Sequence, residues 1–261
     1  MSDDPTTRET LTVPGLPGRF LVLYQPEFDL CDERLVGCEA LLRWWHDDFG
    51  MLHPVAALAG TRWSGALAEA QDWVLGAACR QAVRWHDEGI DLPVAVNVRA
   101  EQVAAPGFAG EVRAALDDSG APPSALAIDV PGGALSPRDL AAAASVEAVA
   151  ALDVAVIADL PAGAIPVTPL PELPLQAVKA PASIAGGHRV ARVHPSVPSL
   201  LRQADDLGLR TVAKALETRR EVLLARDAGF AGGFGHHLSP PVTPQALAAL
   251  HRHQPELVDA S

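Results

Sequence analysis

The chain has 261 residues, of which 49% are hydrophobic, and 20 Lys and Arg against 32 Asp and Glu give it a formal net charge of −12. This length suits one barrel-sized domain or two small ones, and the apolar content is sufficient for a large core. An acidic surface repels phosphate backbones, which excludes a nucleic-acid polymer as the expected partner. A single anionic dinucleotide could still bind a local cluster of cationic groups.

The N-terminal segment Met1–Thr12 is polar and has no apolar signal core. Nowhere do about 18 apolar residues follow one another, so no segment is predicted to span a membrane. The three cysteines, Cys31, Cys38 and Cys79, form neither a CxxC pair nor an even disulfide framework, and they are predicted to be reduced, buried thiols. These features together predict a soluble, cytoplasmic protein without membrane attachment.

Short apolar runs alternate with longer helical patterns along the chain. Strands are predicted at Phe20–Tyr24, Leu92–Val98, Ala125–Val130, Val154–Asp159, Leu175–Lys179 and Arg210–Ala213. Helices are predicted at Leu67–Glu88, Phe108–Ser119, Ser136–Leu152, Pro195–Leu207 and Glu217–Ala228. Apolar character that is nearly continuous along a strand is typical of a sheet covered on both faces.

This alternation predicts a parallel sheet, and the number of units favours a closed (β/α)8 TIM-like barrel in one α/β domain. An open doubly wound sheet is the competing architecture, but its phosphate-binding glycine fingerprint follows none of the predicted strands. Ser136 and Pro137 predict the start of the third helix, and Gly229 the end of the last. The prolines and glycines of Pro161–Pro174 and Pro181–Pro198 predict irregular loops.

Seven short motifs follow one another across residues 18–252. They are Tyr24-Gln25-Pro26 with Gly37–Trp44, Val96-Asn97-Val98, Ala127–Val130, Ile157–Gly163, Val178-Lys179, Ala213–Thr218 and Gly235–Pro241. Together they resemble the EAL family of cyclic di-GMP phosphodiesterases. The resemblance implies an EAL-type barrel over residues 18–252, preceded by a disordered lead-in over 1–17 and followed by a tail over 253–261.

The resemblance also implies a reaction, in which two Mg²⁺ or Mn²⁺ ions at the C-terminal ends of the strands promote hydrolysis of one phosphodiester of cyclic di-GMP. The residues that match metal-ligand positions are Glu39, Asn97 and Asp159, with Asp129 in place of a glutamate ligand. Lys179 matches the catalytic lysine, and Glu217 a second acidic residue. The residues predicted to contact the nucleotide are Gln25, Leu41, Arg43, Asp159 and Lys214.

Besides Asp129 and Pro181, which stand in place of a glutamate and an aspartate, four positions depart from the family pattern. Ala158 stands in place of the first aspartate of a pair, Lys214 in place of a glutamate, Phe234 in place of a glutamine, and Gly132 in place of a glutamate in a loop linked to activation and dimerisation. Three lost acids and one added cation make the pocket four charge units more positive than the pattern. At an effective dielectric near 20, two unit charges ~4 Å apart interact by about 4 kcal/mol. The sequence therefore predicts a degenerate site that does not hold two divalent ions.

Several alternatives stay open at this point. A one-residue shift of the alignment would restore Asp159 to the first position of the aspartate pair. The pocket could bind cyclic di-GMP without turnover, with Lys214 neutralising a phosphate, or Lys214 could pair with Glu39 or Asp159 instead. The domain could be a protein-interaction module that has lost the nucleotide, or a weak phosphodiesterase. No resident cofactor is expected for the inactive forms, and Mg²⁺ or Mn²⁺ for an active one; a homodimer is implied by the resemblance alone.

Overall fold

The computed structural model describes residues 9–135, 139–161, 173–184 and 192–254. The strands are β1 (Thr10–Leu11), β2 (Arg19–Asp29), β3 (Leu35–His46), β4 (Gly50–Leu52), β5 (Val94–Asn97), β6 (Leu126–Pro131), β7 (Ala155–Asp159), β8 (Ala177–Pro181), β9 (Ser183–Ile184), β10 (Arg192–Val193), β11 (Arg210–Lys214) and β12 (Gly232–Gly233). The helices are α1 (Pro54–Leu58), α2 (Ser64–Asp87), α3 (Ala100–Val103), α4 (Phe108–Ser119), α5 (Leu140–Ala150), α6 (Val197–Asp206), α7 (Arg219–Ala228) and α8 (Pro244–Arg252).

Eight strands close into a barrel in the order β2, β12, β11, β8, β7, β6, β5, β3, and β3 pairs back onto β2. This closure confirms the predicted (β/α)8 TIM-like barrel. The expectation of a wholly parallel sheet is wrong for β2, which runs antiparallel to β3 and to β12. Only residues 30–34 separate β2 from β3, and a connection this short joins antiparallel strands, because a parallel crossover needs a dozen or more residues.

Alternate residues of each barrel strand face opposite sides, which separates an outer core from an inner layer. Outward-facing residues such as Val94, Leu126 and Val156 belong to the main core, together with buried residues of the surrounding helices. The inner layer toward the N-terminal ends of the strands is a separate cluster, formed by Ile157 and the three alanines Ala95, Ala127 and Ala177. Inner-face residues farther along the same strands therefore lie at the C-terminal mouth of the barrel.

Helix α2 attaches the long β2–β3 pair to the rest of the molecule. Its buried side includes Val74, Ala78 and Trp85, whose spacing of four and seven residues places them on one stripe of the helix that faces the barrel. The buried Trp85 meets Tyr24 of β2 edge to face, with ring centroids 4.8 Å apart, and its indole N–H donates to the backbone oxygen of Pro244 at 3.3 Å. One aromatic residue thus connects α2, β2 and the start of α8.

All six predicted strands and all five predicted helices are present; α4 has the predicted ends, and each of the others is shifted at one end or both. The predicted cap Ser136-Pro137 lies in 136–138, outside the described residues, and α5 begins at Leu140, where the Asp139 side chain accepts from the backbone N–H of Ala142. Helix α7 begins at Arg219 rather than Glu217, because Thr218 and Glu221 form a capping box. Gly229, with φ of 103°, ends α7 as predicted.

Three expectations need correction. The lead-in over 1–17 is ordered in its described part, because Thr10–Leu11 pairs with β2 and Leu16 is buried. In the predicted loop Pro181–Pro198, β9 and β10 form a small antiparallel sheet and α6 begins at Val197. Residues 185–191 of this loop and residues 162–172 of the other predicted loop lie outside the described residues. Cys38 and Cys79 are buried thiols as predicted, but Cys31 is exposed.

Strand β3 and helix α8 were not predicted from the sequence. Strand β3 carries Gly37 and Arg43 within its apolar run, and this mixture obscures the period of a strand that is half inside the barrel. In the parts of the chain that the structure describes, no helix has the length and apolar character needed to cross a membrane.

Candidate functional site

The polar residues singled out from the sequence converge at the C-terminal mouth of the barrel. Six of them lie on the inner face of six strands: Glu39 on β3, Asn97 on β5, Asp129 on β6, Asp159 on β7, Lys179 on β8 and Lys214 on β11. Strand register brings neighbours side by side, since Asn97 pairs with Asp129 and Asp159 with Lys179. The C-terminal ends of barrel strands are where TIM-barrel proteins place their active sites.

The first group, called the Lys179 cluster, comprises Lys179, Glu39, Asp129, Asn97 and Phe234. The Lys179 ammonium donates to Asp129 Oδ2 at 2.5 Å and to Glu39 Oε2 at 3.2 Å. Asn97 Nδ2 donates to the other oxygen, Glu39 Oε1, at 2.5 Å. The Lys179 and Asp129 side chains are each only 1% exposed. The ammonium also lies 5.2 Å from the centre of the Phe234 ring.

Burial and charge act against each other in this cluster. Burial acts to lower the pKa of Lys179, but the charges of Asp129 and Glu39 outweigh it and raise that pKa above its ordinary value. Burial acts to raise the pKa of Glu39, but Lys179 and the Asn97 hydrogen bond lower it overall. Burial raises the pKa of Asp129 to about 7 although Lys179 opposes the change. The Lys179 ammonium is therefore the fixed charge around which the two carboxylates are arranged.

The second group, called the Lys214 cluster, comprises Lys214, Asp159, Glu217 and His236. Lys214 donates a hydrogen bond to Asp159 Oδ1, and the two side chains are 16% and 31% exposed. Glu217, predicted as a catalytic remnant, is 64% exposed, and its carboxylate lies 3.7 Å from His236 Nδ1. Ala215 adopts a φ of 59° just after β11, and this left-handed residue turns the chain outward. Glu217 therefore lies at the rim, away from the Lys179 cluster.

The predicted nucleotide contacts on β2 and β3 have different environments. The buried Gln25 donates from Nε2 to the backbone oxygen of Ser239 at 2.6 Å and so holds the closing loop Gly235–Pro241 against β2. Leu41 and Arg43 lie on the same face of β3 as Glu39, and both are half-buried. Arg43 donates to the backbone oxygen of Leu42 at 2.9 Å, and burial lowers the pKa of its guanidinium.

The position of Ala158 shows which residue of the aspartate-pair segment faces the pocket. This residue is 1% exposed and belongs to the main core, on the side of β7 that faces the helices. Its neighbour Asp159 occupies the pocket side, as the shifted alignment would have it. At Gly132, a Cβ atom would lie 2.7 Å from Leu160 Cδ2 and 3.2 Å from the backbone oxygen of Asp159. One acid of the pair is missing in either register, because Leu160 follows Asp159, so the predicted excess of charge stays a prediction, and Lys214 is the change that faces the pocket.

Two features of the site were not found from the sequence. The first is the contact between Phe234 and Lys179, which joins residues 55 positions apart and has no local signal. The second is that Lys179 and Lys214 both lie at the mouth of the barrel. This feature did have a signal, because they are the only two lysines in the chain, which has 18 arginines. Both lysines of the protein thus lie in one pocket.

The carboxylate oxygens at the mouth of the barrel are the groups that could bind a pair of divalent metal ions. Hard cations such as Mg²⁺ and Mn²⁺ require several oxygen ligands each. One oxygen, Asp129 Oδ1, is buried without a hydrogen-bond partner, but Asp129 Oδ2, Glu39 Oε2 and Asp159 Oδ1 are bound by lysines. Over the described ranges, no group of three or more His, Cys, Asp or Glu residues is placed to hold a metal ion. This arrangement does not fit two divalent ions.

The fold and the site define a TIM-type barrel with paired acidic and basic residues at its mouth. Residues 16–241 match the EAL domain family. The uncharacterized protein Rv1357c of Mycobacterium tuberculosis is 31% identical over 235 residues, which cover 85% of this chain and 75% of that protein. The cyclic di-GMP phosphodiesterase PA2567 of Pseudomonas aeruginosa is 31% identical over 240 residues, 89% of this chain and 40% of that protein.

Structural comparison agrees with the sequence match. The solved structure of the PaMucR phosphodiesterase in complex with c-di-GMP has a TM-score of 0.74 and 26% identity, over 87% of this chain and 94% of that one. The chain belongs to the EAL domain family.

Proposed function

We propose that this EAL domain is a receptor of cyclic di-GMP signalling that binds the dinucleotide without hydrolysing it. The observation that carries the proposal is the pairing of both lysines with the carboxylates Asp129, Glu39 and Asp159. These are the groups that a metal-dependent phosphodiesterase would use as ligands. In this chain they are neutralised by the protein's own cations.

Charge at the mouth supports metal-independent binding. The two ammonium groups offset the negative charge of the carboxylates that they contact, so the mouth attracts divalent ions less strongly than unpaired carboxylates would. Near Lys214, a divalent ion at ~4 Å and an effective dielectric near 20 would meet a repulsion of about 8 kcal/mol, twice that between two unit charges. The same positive group attracts a phosphate.

The Lys214 cluster is the expected phosphate contact. Lys214 and Asp159 are partly exposed, so the ammonium can exchange its carboxylate partner for a phosphate oxygen with little desolvation. Arg43 lies on the same face of β3 as Glu39, and its guanidinium can bind a phosphate through two parallel hydrogen bonds. The relative PaMucR was solved with c-di-GMP bound, which supports this ligand class for the present pocket.

One observation favours a second candidate, a weak metal-dependent phosphodiesterase. Asp159 faces the pocket, and Asp129 Oδ1 is a buried oxygen without a partner. Together with Glu39, Asn97 and Lys179, these residues could support slow turnover if Mg²⁺ or Mn²⁺ displaced a lysine from its carboxylates. The relative PA2567 is named a cyclic di-GMP phosphodiesterase.

Calorimetric titration of cyclic di-GMP into the chain, first with EDTA and then with Mn²⁺, tests the proposal. We expect binding in EDTA and no linear dinucleotide in product chromatography. Lys214→Ala should weaken binding about tenfold or more, because a charge-assisted hydrogen bond to phosphate is lost. Arg252→Ala removes a paired cation from the distant α8, where Arg252 contacts Glu88, and should leave binding unchanged.

Each other outcome has a definite meaning. The absence of heat at high micromolar ligand would overturn the receptor proposal, and a partner capture that is indifferent to cyclic di-GMP would then favour a protein-interaction module. Linear product that depends on Mn²⁺ and disappears in Glu39→Ala would overturn the claim of inactivity and establish the second candidate.

A further inference from the structure

We infer that Phe234 is a positioning residue that holds the Lys179 ammonium against Asp129 and Glu39 and so makes these carboxylates less available to a divalent metal. This inference deepens the proposed function and rests on the metal-independent pocket described there. The ammonium has three neighbours: the carboxylates of Asp129 and Glu39, at 2.5 and 3.2 Å, and the Phe234 ring, whose centre is 5.2 Å away. The ring supplies the third side of this cage.

The ring is an attractive partner for an ammonium and a poor one for a divalent ion. The negative face of an aromatic ring attracts a cation within about 6 Å. It carries no oxygen, and oxygen ligands are what Mg²⁺ and Mn²⁺ require. A phenylalanine in this position therefore favours the lysine over the metal, whereas the glutamine of the family pattern would supply an amide oxygen.

The backbone fixes the ring where it is. The Phe234 N–H donates to the Ala213 oxygen at 3.0 Å, and the Phe234 oxygen accepts from the Leu216 N–H at 3.1 Å. The glycines on either side are tightly packed, since a Cβ at Gly235 would lie 2.2 Å from Leu216 N and one at Gly233 2.8 Å from Leu216 Cδ1. The loop is thus held against the end of β11, and these contacts fix the backbone position from which the ring reaches Lys179.

The choice of lysine fits the same cage. The chain uses arginine at 18 of its 20 basic positions and keeps lysine only at residues 179 and 214. An ammonium is a compact charge, whereas a guanidinium is a wide planar group with five donors in a fixed geometry. The compact ammonium, on a side chain that is 1% exposed and bounded by two carboxylates and one ring, suits this cluster better than a wide planar group would.

The two lysines make the test direct. With lysine labelled at Cε by ¹³C, the NMR spectrum of the full chain contains two lysine ε signals, and the ring should shift the Lys179 signal upfield. Phe234→Leu should move that signal toward the ordinary lysine position and leave the Lys214 signal in place. The same variant should bind Mn²⁺ about fivefold more tightly, because it loses one cation–π contact. Electron paramagnetic resonance of the free Mn²⁺ ion measures this affinity.

Two further variants make the test specific. Phe234→Tyr keeps the aromatic face and should retain the wild-type lysine signal and Mn²⁺ affinity. Trp63→Leu removes a distant cation–π contact, in which the Arg62 guanidinium lies 5.0 Å from the Trp63 ring, and should change neither measurement. The inference is overturned if Phe234→Leu behaves like the wild type, or if Trp63→Leu produces the same changes.

The wild-type spectrum protects the test against a variant that does not fold, because the absence of an upfield-shifted lysine signal would by itself overturn the inference. No nucleotide is used in these measurements. Failure of the ammonium cage and failure of cyclic di-GMP binding are therefore separate results.

Discussion

The Lys179 cluster and the Lys214 cluster contain the same kind of ion pair in two different settings. The Lys179 and Asp129 side chains are 1% exposed, whereas Lys214 and Asp159 are 16% and 31% exposed. A fully buried ion pair cannot lose one member without leaving an unpaired charge in the interior, while an exposed pair is worth little and is easily exchanged. The deep cluster is therefore suited to holding the barrel mouth in shape, and the shallow cluster to exchanging partners with a ligand.

The largest expected effect separates the two clusters through matched substitutions. Lys179→Met should reduce the free energy of unfolding by about 3–5 kcal/mol, because Asp129 and Glu39 lose the buried charge that compensates them. Lys214→Met should reduce it by about 1 kcal/mol or less, because solvent takes over part of the role of its partner. Urea unfolding of both variants at neutral pH measures the difference.

Equal losses of unfolding free energy in Lys179→Met and Lys214→Met would contradict the difference between the two clusters. A loss below 1 kcal/mol for Lys179→Met would show that the buried carboxylates tolerate the missing ammonium, and the deep cluster would then have no special structural part.

An intermediate effect is expected at the loop that connects both clusters. Gly235→Ala places a Cβ 2.2 Å from the Leu216 backbone nitrogen, so the loop that carries Phe234 and His236 must shift. We expect a loss of about 1–3 kcal/mol in unfolding free energy, typical of overpacking. Gly133→Ala is the matched control, because no atom lies within 4 Å of the added methyl. Similar unfolding curves for the two variants would argue against a fixed loop.

The smallest effect concerns a third ion pair far from the mouth, which serves as a reference. Burial acts to raise the pKa of Glu9, but Arg80 and Arg84 outweigh it and lower the pKa below 4.5. The stabilisation is therefore present above the unfolded value of about 4.5 and is lost as pH falls through the lower folded value. Glu9→Gln should cost about 0.5 kcal/mol at pH 7.

Urea midpoints of the wild type and Glu9→Gln at pH 7 and at pH 3 give the measurement. The difference in urea midpoint between the wild type and Glu9→Gln should be smaller at pH 3 than at pH 7. A difference that stays constant or grows on acidification would contradict the sign of the shift, and with it the use of this pair as a reference for exposed ions.

Much of the barrel was predictable from local pattern. The apolar runs of β5, β6, β7 and β8 and the spacing of α2 and α4 depend on neighbouring residues, and their ends shifted by at most a few positions. Asn97, Asp129 and Lys179 were placed at the mouth because C-terminal strand ends meet there. Strand β3 and the reversed direction of β2 were missed, since both depend on which strands close the barrel.

The sequence by itself determined the strand–helix alternation, the motif order and the residue types at the mouth, because these properties are local in the chain. Only the tertiary structure decided which side of β7 faces the pocket, so that Asp159 enters it and Ala158 does not. It also decided that Glu217 turns outward after Ala215 and that Phe234 meets Lys179. Those relations depend on register and on contacts between residues far apart in the chain, which no short window of sequence contains.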